Sequence, residues 1–443
     1  MTPSPFSSAL TAPLLGDAEA AAILSDAAFI AQMVRVEAAF ARACATVGLV
    51  DAQAAHRVTG QIETLALTPE ALGAGMASAG VPVPALVAAL QGACGADGQA
   101  LHWGATSQDI IDTAHVLQWR ALLDLLEQRL ATLLDQLHTT SDAQAGIVMA
   151  GRTRSQIATP ITLGLRIATW AQPLIALEAD LPALRARVLK VQFGGASGAG
   201  SAVGDQAQAL TDAFARELGL APAPCWHLDR TGPQHLGAWL ARLCAALGKL
   251  ARDLILAGRS EIAELRAGAG GGSSTMPQKS NPVGAEAVVT LAQYAQTLLP
   301  LLGQAAMPLE ERDGAVWTLE WLALPQMGVA AAACLRHADA LVTTLTPDTA
   351  RMQTQLSGES GAIMAEAASF ALARHMPRPE ATAHVKQALT AARGKGESLA
   401  QTLAADATLG GLEDWHATLS PDAVLPATEA MRHRIWALRL DHG

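Results

Sequence analysis

The sequence predicts an all-α protein with a central bundle of long helices. Apolar residues make up 51% of its 443 residues but aromatic residues only 4%, so alanine and leucine supply most of the apolar surface. Such a composition favours closely packed helices over sheets, because strands draw on valine, isoleucine and aromatic residues. Leucines at helical spacing and one long uncharged segment predict the same fold class.

The N-terminal part of the chain, residues 1–108, is predicted to form short helices and loops, because residues 69–84 are rich in glycine and proline. The first ten residues, MTPSPFSSAL, lack the basic start and the long apolar run of a signal peptide. The five cysteines are odd in number, widely spaced and free of any C-x-x-C pattern, so they are predicted to be reduced, and a cytoplasmic location is expected.

The central part, residues 109–346, carries two leucine series at spacings of three and four, the pattern of a coiled-coil seam. The series are Leu122, Leu126, Leu130, Leu133 and Leu137, and then Leu236, Leu240, Leu243, Leu247, Leu250 and Leu254. The second helix is expected to run from Pro233 to about Arg266, a length of about 50 Å at 1.5 Å per residue. Helices this long and apolar predict an oligomer, because the rest of one chain is not expected to cover them.

Residues 287–309 are uncharged over a length that could span a membrane. Glutamines, threonines and Pro300 interrupt the run, so we expect a helix buried in a soluble bundle and no membrane association. Glycines and prolines beyond residue 346 predict a small C-terminal helical domain over residues 347–443. The predicted organisation is therefore three-part, with boundaries near residues 108 and 346.

The net charge of −10 argues against a nucleic-acid-binding surface. An anionic substrate would have to be attracted by local cations, and Lys279 is one of only five lysines in the chain. No histidines, cysteines or acidic residues follow one another at metal-ligand spacing, so no metal and no cofactor is expected.

The segment GGGSSTMPQKSNP at residues 270–282, in a loop predicted over residues 268–282, concentrates the chemistry of the chain. Its three glycines can adopt conformations closed to other residues and can bring backbone N–H groups close to a ligand. Ser273 and Ser274 follow, and then Lys279 and Asn281, so donors for a carboxylate lie near a candidate proton carrier. A flexible linker is the alternative, but linkers seldom carry a Met-Pro-x-Lys-x-Asn-Pro tail.

This segment resembles the signature of the fumarase/aspartase superfamily, G-S-S-x-M-P-x-K-x-N, at every fixed position. The resemblance implies an all-helical homotetramer with shared active sites that adds or removes a group β to a carboxylate through an enediolate-like intermediate. It implies that Ser273 is the carbon acid/base, and that Lys279, also counted as catalytic, and Asn281 bind the carboxylate. Ser274 and Met276, inside the same signature, are implied to contact the substrate.

The segment HWGATSQDIIDTA at residues 102–114 contains Thr106 and Ser107, which can cap the following helix, whose exposed N–H groups attract carboxylates. An ordinary N-cap with no binding role is the alternative. The string resembles the H-x-G-x-T-S-x-D-x-x-D-T segment of the adenylosuccinate lyase and carboxymuconate cycloisomerase branch. The resemblance implies that His102, Thr106 and Ser107 are substrate ligands, whereas Asp109 and Asp112 hold the loop in place.

The segment GRTRSQIATPITLG at residues 151–164 resembles the superfamily block in which threonine is commonly followed by histidine. The match implies that Thr153, Arg154 and Gln156 are substrate ligands, with Arg154 at the histidine position. In lyases that expel an amine, histidine is the natural general acid for the leaving nitrogen. Arginine stays protonated at physiological pH and cannot take that role, which weighs against an ordinary amine-expelling lyase.

The segment EERDGAVWTLEWLALPQM at residues 310–327 has Trp321 where adenylosuccinate lyases usually have a second arginine, suited to a nucleotide phosphate. Its Arg-Asp and E-W-x-x-L-P pattern resembles the carboxymuconate cycloisomerases instead, as does QFGGASGA at residues 192–199. The resemblance implies that Arg312 is a substrate ligand.

A Trp-His-then-Arg run at residues 226–230 also resembles these cycloisomerases, and it implies that Arg230 is a substrate ligand. Asp229 stands where that family usually has glutamine. His227 is either a substrate ligand or a structural histidine.

These segments together identify the chain as a member of the 3-carboxy-cis,cis-muconate cycloisomerase family, a resemblance that extends to about residue 345. The implied reaction closes a cis,cis-diene tricarboxylate to 4-carboxymuconolactone in protocatechuate breakdown, a step of aromatic catabolism. One alternative is another superfamily lyase with a weakly basic leaving group, for instance nitrite, or an enzyme like adenylosuccinate lyase. The other is a helical oligomer that has lost catalysis, as lens crystallins of the superfamily illustrate.

Overall fold

The computed structural model describes residues 4–272, 275–277 and 279–440. Helices dominate these residues, which confirms the predicted all-α fold class. The chain divides into two compact units of three segments each. Unit 1 comprises Met1–Leu130, Asp180–Gly248 and Ala287–Arg336, and unit 2 comprises Ala131–Ala179, Lys249–Glu286 and His337–Gly443. The three-part division near residues 108 and 346 stays a prediction.

The α-helices of the described residues vary from single turns to long rods. In chain order they are α1 (Ala12–Leu15), α2 (Ala18–Ile23), α3 (Asp26–Thr46), α4 (Ala52–Ile62), α5 (Pro69–Ala79), α6 (Val83–Cys94), α7 (Ser107–Ala143), α8 (Leu163–Ala179), α9 (Leu181–Val188), α10 (Ala207–Leu218), α11 (Thr231–Ala257), α12 (Val283–Ala305), α13 (Gly314–Thr343), α14 (Thr349–Ser357), α15 (Ala365–Leu372), α16 (Arg378–Lys395), α17 (Leu399–Ala405), α18 (Trp415–Thr418) and α19 (Leu425–Leu440).

Short strands and 3₁₀ turns connect the helices. The strands are β1 (Val148–Thr153), β2 (Gln156–Thr162), β3 (Leu265–Arg266), β4 (Gly271–Gly272), β5 (Ser280–Asn281) and β6 (Thr346–Pro347). They pair antiparallel as β1 with β2, β3 with β6, and β4 with β5. The 3₁₀ turns are Gly95–Ala100, Gly204–Gln206, Glu359–Met364 and Pro421–Val424.

Side-chain caps begin several helices at the positions where the sequence offers serine or aspartate. The Ser25 hydroxyl accepts the Ala28 N–H at 3.2 Å before α3, and the Asp51 carboxylate accepts the Ala54 N–H at 2.8 Å before α4. Such caps satisfy first-turn donors that have no partner inside the helix.

Both leucine series are buried, as their spacing predicted. Every member is at most 6% exposed: Leu122, Leu126, Leu130, Leu133 and Leu137 on α7, and Leu236, Leu240, Leu243, Leu247, Leu250 and Leu254 on α11. Because one chain already covers these leucines, the prediction that they need neighbouring subunits to be buried is wrong. Any oligomer must use a different surface.

Helix α11 begins at Thr231, close to its predicted start, but ends at Ala257 instead of about Arg266. Its 27 residues therefore span about 40 Å, not the predicted 50 Å. The chain reverses after Gly258, and the Glu264 N–H bonds back to the Ala257 carbonyl at 2.9 Å. Apolar periodicity cannot reveal such a reversal, because the loop that follows is also partly apolar.

Most of the uncharged segment, up to Ala305, lies in α12, and the prediction of a buried helix is correct for only one face of that helix. Val288, Leu291, Ala295 and Leu302 are buried. The opposite face is exposed and consists of Glu286 in the first turn, followed by the uncharged residues Thr290, Gln293, Thr297, Pro300 and Gln304. Five exposed positions without a charge are unusual for a helix that faces water alone.

Helix α13 is the single helix of the described residues that is long and apolar enough to cross a membrane by length and composition. However, 67% of its apolar window is buried inside the protein. This burial is typical of the core helix of a soluble protein.

Candidate active site

Asp109, in the first turn of α7, organises the surrounding loops of unit 1. Its carboxylate accepts the N–H groups of Thr106 at 2.9 Å, Gly194 at 2.9 Å and Gly195 at 3.0 Å. It also lies 2.8 Å from Nε2 of His227. The carboxylate thereby satisfies the N-cap of α7 and holds two glycine N–H groups of the neighbouring loop, which is the loop-holding role predicted for it.

The structure favours the structural role for His227, because its side chain is only 1% exposed. Burial lowers the pKa of His227, but the hydrogen bond and charge of Asp109, together with the neighbouring Cys225, outweigh burial and raise this pKa to about 9. His227 is therefore an imidazolium at neutral pH, and it forms a buried ion pair with Asp109.

Arg230 lies in a second buried ion cluster of unit 1. Its guanidinium binds Asp112 at 2.7 and 3.1 Å and Glu320 at 2.8 and 2.6 Å, and the indole N–H of Trp317 donates to Asp112 at 3.0 Å. Burial raises the pKa of Asp112, but the Arg230 charge together with hydrogen bonds from Arg230, Gln192 and Trp317 outweighs burial, so the net pKa is lowered. Through Arg230, which directly precedes α11, the cluster connects Glu320 on α13 to Asp112 on α7.

Arg230 is only 3% exposed, and its donors are engaged inside the chain. This geometry favours a positioning role for Arg230 over the direct substrate contact that the sequence predicted. Breaking such a cluster by removing one partner would leave an uncompensated buried charge.

His102 keeps a partly accessible imidazole, with 20% of the side chain exposed. Its backbone has a positive φ of 58°, and its Nδ1 lies 2.6 Å from Oε1 of Glu37 on α3. Burial lowers the pKa of His102, but the hydrogen bond and charge of Glu37 outweigh burial, so the net pKa is raised. The sequence reasoning missed Glu37, although a lone acidic residue within the apolar run VRVEAAF was a usable signal.

Arg312 reaches the start of α7, where Thr106 and Ser107 lie. Its Nε donates to Oε1 of Gln108 at 3.0 Å, and its Nη2 donates to the carbonyls of Gly195 and Ala196 at 3.3 and 3.1 Å. The structure thus brings three predicted ligands to one helix N-terminus, a place that favours anions. Gln108, which the sequence reasoning did not single out, is the residue that connects them.

The β1–β2 hairpin of unit 2 presents Arg154 at its tip. Thr153 pairs with Gln156, and the two residues between them, Arg154 and Ser155, have positive φ angles of 50° and 65°. Positive φ at both central positions defines a type I′ turn, and it is a strained conformation for residues other than glycine. The exposed Arg154 side chain makes no hydrogen bond or ion pair with any described residue.

A cavity of about 490 Å³ in unit 2 lies beside this hairpin. Its charged lining residues are Arg152, Arg166, Lys249, Arg259 and Asp253. The two terminal guanidinium nitrogens of Arg152 donate to the two carboxylate oxygens of the buried Glu264, each at 2.8 Å. Burial lowers the pKa of Arg166, and its guanidinium has no hydrogen-bond or ion-pair partner among the described residues. The lining therefore carries surplus positive charge in a chain whose net charge is negative.

The signature loop of unit 2 is closed by backbone pairing of Gly271 with Asn281 and of Gly272 with Ser280. The preceding Gly270 has a φ of 69°, and a Cβ there would lie 2.1 Å from the Ser280 hydroxyl oxygen. The positive φ favours glycine at position 270, and a Cβ at Gly271 would lie 2.5 Å from Cγ2 of Val283. These two glycines therefore allow close approach of the two sides of the loop, whereas a Cβ at Gly272 would meet no atom within 4 Å.

Within the loop, Lys279 is exposed, and its backbone N–H donates to the Met276 carbonyl at 3.0 Å. Ser273, the predicted proton carrier, and Ser274 lie outside the described residues.

The predicted ligands are divided between the two units. His102, Thr106, Ser107, Arg230 and Arg312 belong to unit 1, whereas Thr153, Arg154, Gln156, Met276, Lys279 and Asn281 belong to unit 2. Each group is rich in donors and cations, so each suits the carboxylate groups of a substrate.

A family model described as "Lyase" matches residues 11–296. A 3-carboxy-cis,cis-muconate cycloisomerase of Pseudomonas aeruginosa is 41% identical, over 83% of this chain and 82% of the relative. A nitrosuccinate lyase of Streptomyces davaonensis is 35% identical, over 90% of this chain and 87% of the relative. The crystal structure of the 3-carboxy-cis,cis-muconate lactonizing enzyme of Pseudomonas putida superposes with a TM-score of 0.90 at 32% identity, covering 97% of this chain and 98% of that one.

Proposed function

The chain belongs to the lyase family whose model matches residues 11–296, and from that premise we propose that it is an intramolecular lyase, a 3-carboxy-cis,cis-muconate cycloisomerase. In the proposed reaction, a carboxylate of the diene tricarboxylate adds to the double bond conjugated to another carboxylate. The product is 4-carboxymuconolactone. The similarity to cycloisomerases over most of the chain supports this proposal.

The observation that carries the proposal is the position of Arg154. It occupies the tip of a strained turn, is exposed, and has no partner among the described residues. Strain of this kind persists where the surrounding structure imposes it, often at functional sites. A permanently charged guanidinium can pair with a reacting carboxylate but cannot protonate a leaving amine.

The leaving group of the reverse reaction explains why no acid is needed at position 154. When the lactone opens, the leaving group is a carboxylate with an intrinsic pKa near 4. Such a group departs without a proton, so arginine in place of histidine fits lactone chemistry. An amine leaving group would need the acid that arginine cannot supply.

The forward reaction also needs groups that stabilise a developing negative charge and a group that protonates carbon. As the carbon–oxygen bond forms, the π electrons of the double bond move onto the conjugated carboxylate and produce an enediolate. Lys279, Asn281 and the backbone N–H groups of the loop stabilise the developing charge. Ser273 then donates its proton to the carbon, and solvent restores the serine hydroxyl.

A lyase that expels nitrite is the second candidate. The extended similarity to a nitrosuccinate lyase favours it, and nitrite, like a carboxylate, is a weakly basic leaving group. Arg154 is compatible with either reaction, so the substrate must be tested directly. An enzyme like adenylosuccinate lyase is less compatible, because its leaving nitrogen needs an acid.

Three assays on the purified full chain, without added metal, distinguish the candidates. Loss of the absorbance of the diene tricarboxylate supports the cycloisomerase, whereas nitrite release from nitrosuccinate with no activity on the diene supports the second candidate. Fumarate release from adenylosuccinate or argininosuccinate would refute both. A lack of turnover in all three assays would favour a helical oligomer without catalysis.

We further propose that the enzyme is a homotetramer with shared active sites and that it is located in the cytoplasm. The exposed face of α12, which is uncharged at Thr290, Gln293, Thr297, Pro300 and Gln304, supports association between copies. Beyond Glu286 in the first turn, this face carries no charge over five exposed positions, so that part of it can pack closely against another helix without burying unpaired charges. No nucleic acid or membrane partner is proposed.

A further inference from the structure

Arg166 lines the cavity of about 490 Å³ in unit 2 without a charged partner among the described residues. The same cavity is lined by Thr153 and Ser155, the two neighbours of Arg154 in the β1–β2 hairpin. Arg166 is partly buried, and its guanidinium makes no hydrogen bond within the described chain. A cation that is partly removed from water is costly without an anion to pair with.

The three other cations of the described cavity wall each have an acidic partner: Arg152 with Glu264, Lys249 with Asp253, and Arg259 with Glu261. The indole N–H of Trp170 also donates to Asp253, at 2.7 Å. Glu264 and Asp253 attract Arg166 through space, but neither contacts it. One positive charge of the wall is therefore unbalanced, which suits a single carboxylate group of a ligand.

The position of Arg166 in α8 also favours an anion. Arg166 is the fourth residue of this helix, whose first turn contains no acidic residue. The aligned peptide dipoles make a helix N-terminus electropositive, so a cation there is unfavourable unless an anion accompanies it. Aliphatic side chains of the same cavity, Ile161, Leu165 and Leu256, suit the carbon chain of a carboxylic acid.

The proposed substrate has three carboxylates, and the reaction proposed above uses two of them. Arg154 pairs with the attacking carboxylate, whereas Lys279 and Asn281 bind the carboxylate that becomes the enediolate. The third is attached to the carbon that receives the new carbon–oxygen bond, because the product carries it at position 4 of the lactone. As this bond forms, the attacking carboxylate approaches the third one, and the two negative charges repel each other.

We propose that the Arg166 guanidinium binds this third carboxylate, so that the enzyme selects a tricarboxylate over a dicarboxylate. The contact rests on the proposed function, since it belongs to the same substrate. A guanidinium can hold a carboxylate through two parallel hydrogen bonds, and its charge offsets the repulsion as the ring closes. Because Thr153 and Ser155 line the same cavity, this contact lies beside the turn that carries Arg154.

Two saturated, unreactive analogues of the substrate test this contact without turnover. Butane-1,2,4-tricarboxylate keeps all three carboxylates of the diene, whereas adipate lacks the third one. Titration calorimetry on the full-length protein should show the tricarboxylate binding about 10- to 100-fold more tightly than adipate, the scale of one charge-assisted contact.

Arg166→Met should remove this preference and leave the affinity for adipate unchanged. Arg166→Lys should keep part of the preference, because lysine retains the charge but loses the planar fork. Arg351→Met, at an exposed arginine on α14, is the control and should keep the wild-type preference.

Thermal unfolding separates a binding role of Arg166 from a structural one. Because the guanidinium has no partner within the described chain, Arg166→Met should melt at the wild-type temperature or above it. The proposal is overturned if the tricarboxylate binds no more tightly than adipate, if Arg166→Met keeps the preference, or if this variant melts below Arg351→Met. A preference that depends on Arg166, in a protein that does not convert the diene, would support the contact and refute only the proposed reaction.

Discussion

Asp109 and His227 form an ion pair, 2.8 Å between Oδ1 and Nε2, in which each side chain is only 1% exposed. The same carboxylate receives two N–H groups of the glycine loop at residues 194–195. The sequence left open whether His227 is a substrate ligand or a structural histidine. Its ion pair with Asp109 makes it part of the structural support of the candidate site.

His227 should make stability depend on pH. Its folded-state pKa is raised to about 9, above an unfolded value near 6.5. The native state therefore binds more protons between these values, so the pair stabilises the fold fully below pH 6.5 and loses this contribution as pH rises through 9. Urea unfolding from pH 6 to 10 should show the free energy of unfolding falling, by at most about 1.4 kcal/mol per pH unit from this group.

His227→Gln should flatten this slope, because glutamine can still donate to Asp109 but does not titrate. His433→Gln is the matched control, since the His433 side chain is 67% exposed. Equal slopes in the wild type and His227→Gln would show that His227 does not carry the pH dependence.

Ser273→Ala should reduce kcat for the diene tricarboxylate by roughly 10²- to 10⁴-fold, the usual scale for a positioned acid/base. Steady-state absorbance assays measure the effect, and circular dichroism checks that the fold is retained. If the variant kept more than half of the wild-type turnover, Ser273 would not be the proton carrier.

Arg154→Lys should lower kcat/KM about 10- to 100-fold, because lysine keeps the charge but loses the planar fork that binds a carboxylate through two contacts. Arginine and lysine have the same conformational cost at positive φ, so a difference in activity reports the change from a guanidinium to an ammonium group. Arg351→Lys, at another exposed arginine, on α14, is the control and should retain wild-type activity. Full activity of Arg154→Lys would remove the proposed guanidinium–carboxylate pairing.

Thr297→Glu places a charge in the middle of the five exposed, uncharged positions of α12 that follow Glu286, from Thr290 to Gln304. If copies associate through this face, the variant should dissociate at micromolar concentrations, because a buried unpaired carboxylate is costly. Light scattering should then give a tetramer for the wild type and smaller species for the variant. Thr390→Glu, on an exposed part of α16, should remain a tetramer. A monomeric wild type would contradict the oligomer proposal itself.

The sequence by itself determined the fold class and the local chemistry. Leucine spacing located the buried faces of α7 and α11, because helical periodicity reports directly which side chains face a core. The motifs identified the donor-rich segments, since a signature such as the one containing Lys279 is contiguous in the chain. The sequence also showed that arginine replaces the common histidine at position 154, which favours a carboxylate leaving group.

The tertiary structure alone decided which charged groups are paired. Arg230 and Arg312 look equivalent in sequence, yet Asp112 and Glu320 enclose Arg230, whereas Arg312 is only partly buried at the start of α7. The partners of Arg230 lie about a hundred residues away in the chain, and burial depends on all the elements that pack around a group. For the same reason, the end of α11 at Ala257 and the covering of its leucines by a single chain could be read only from the folded structure.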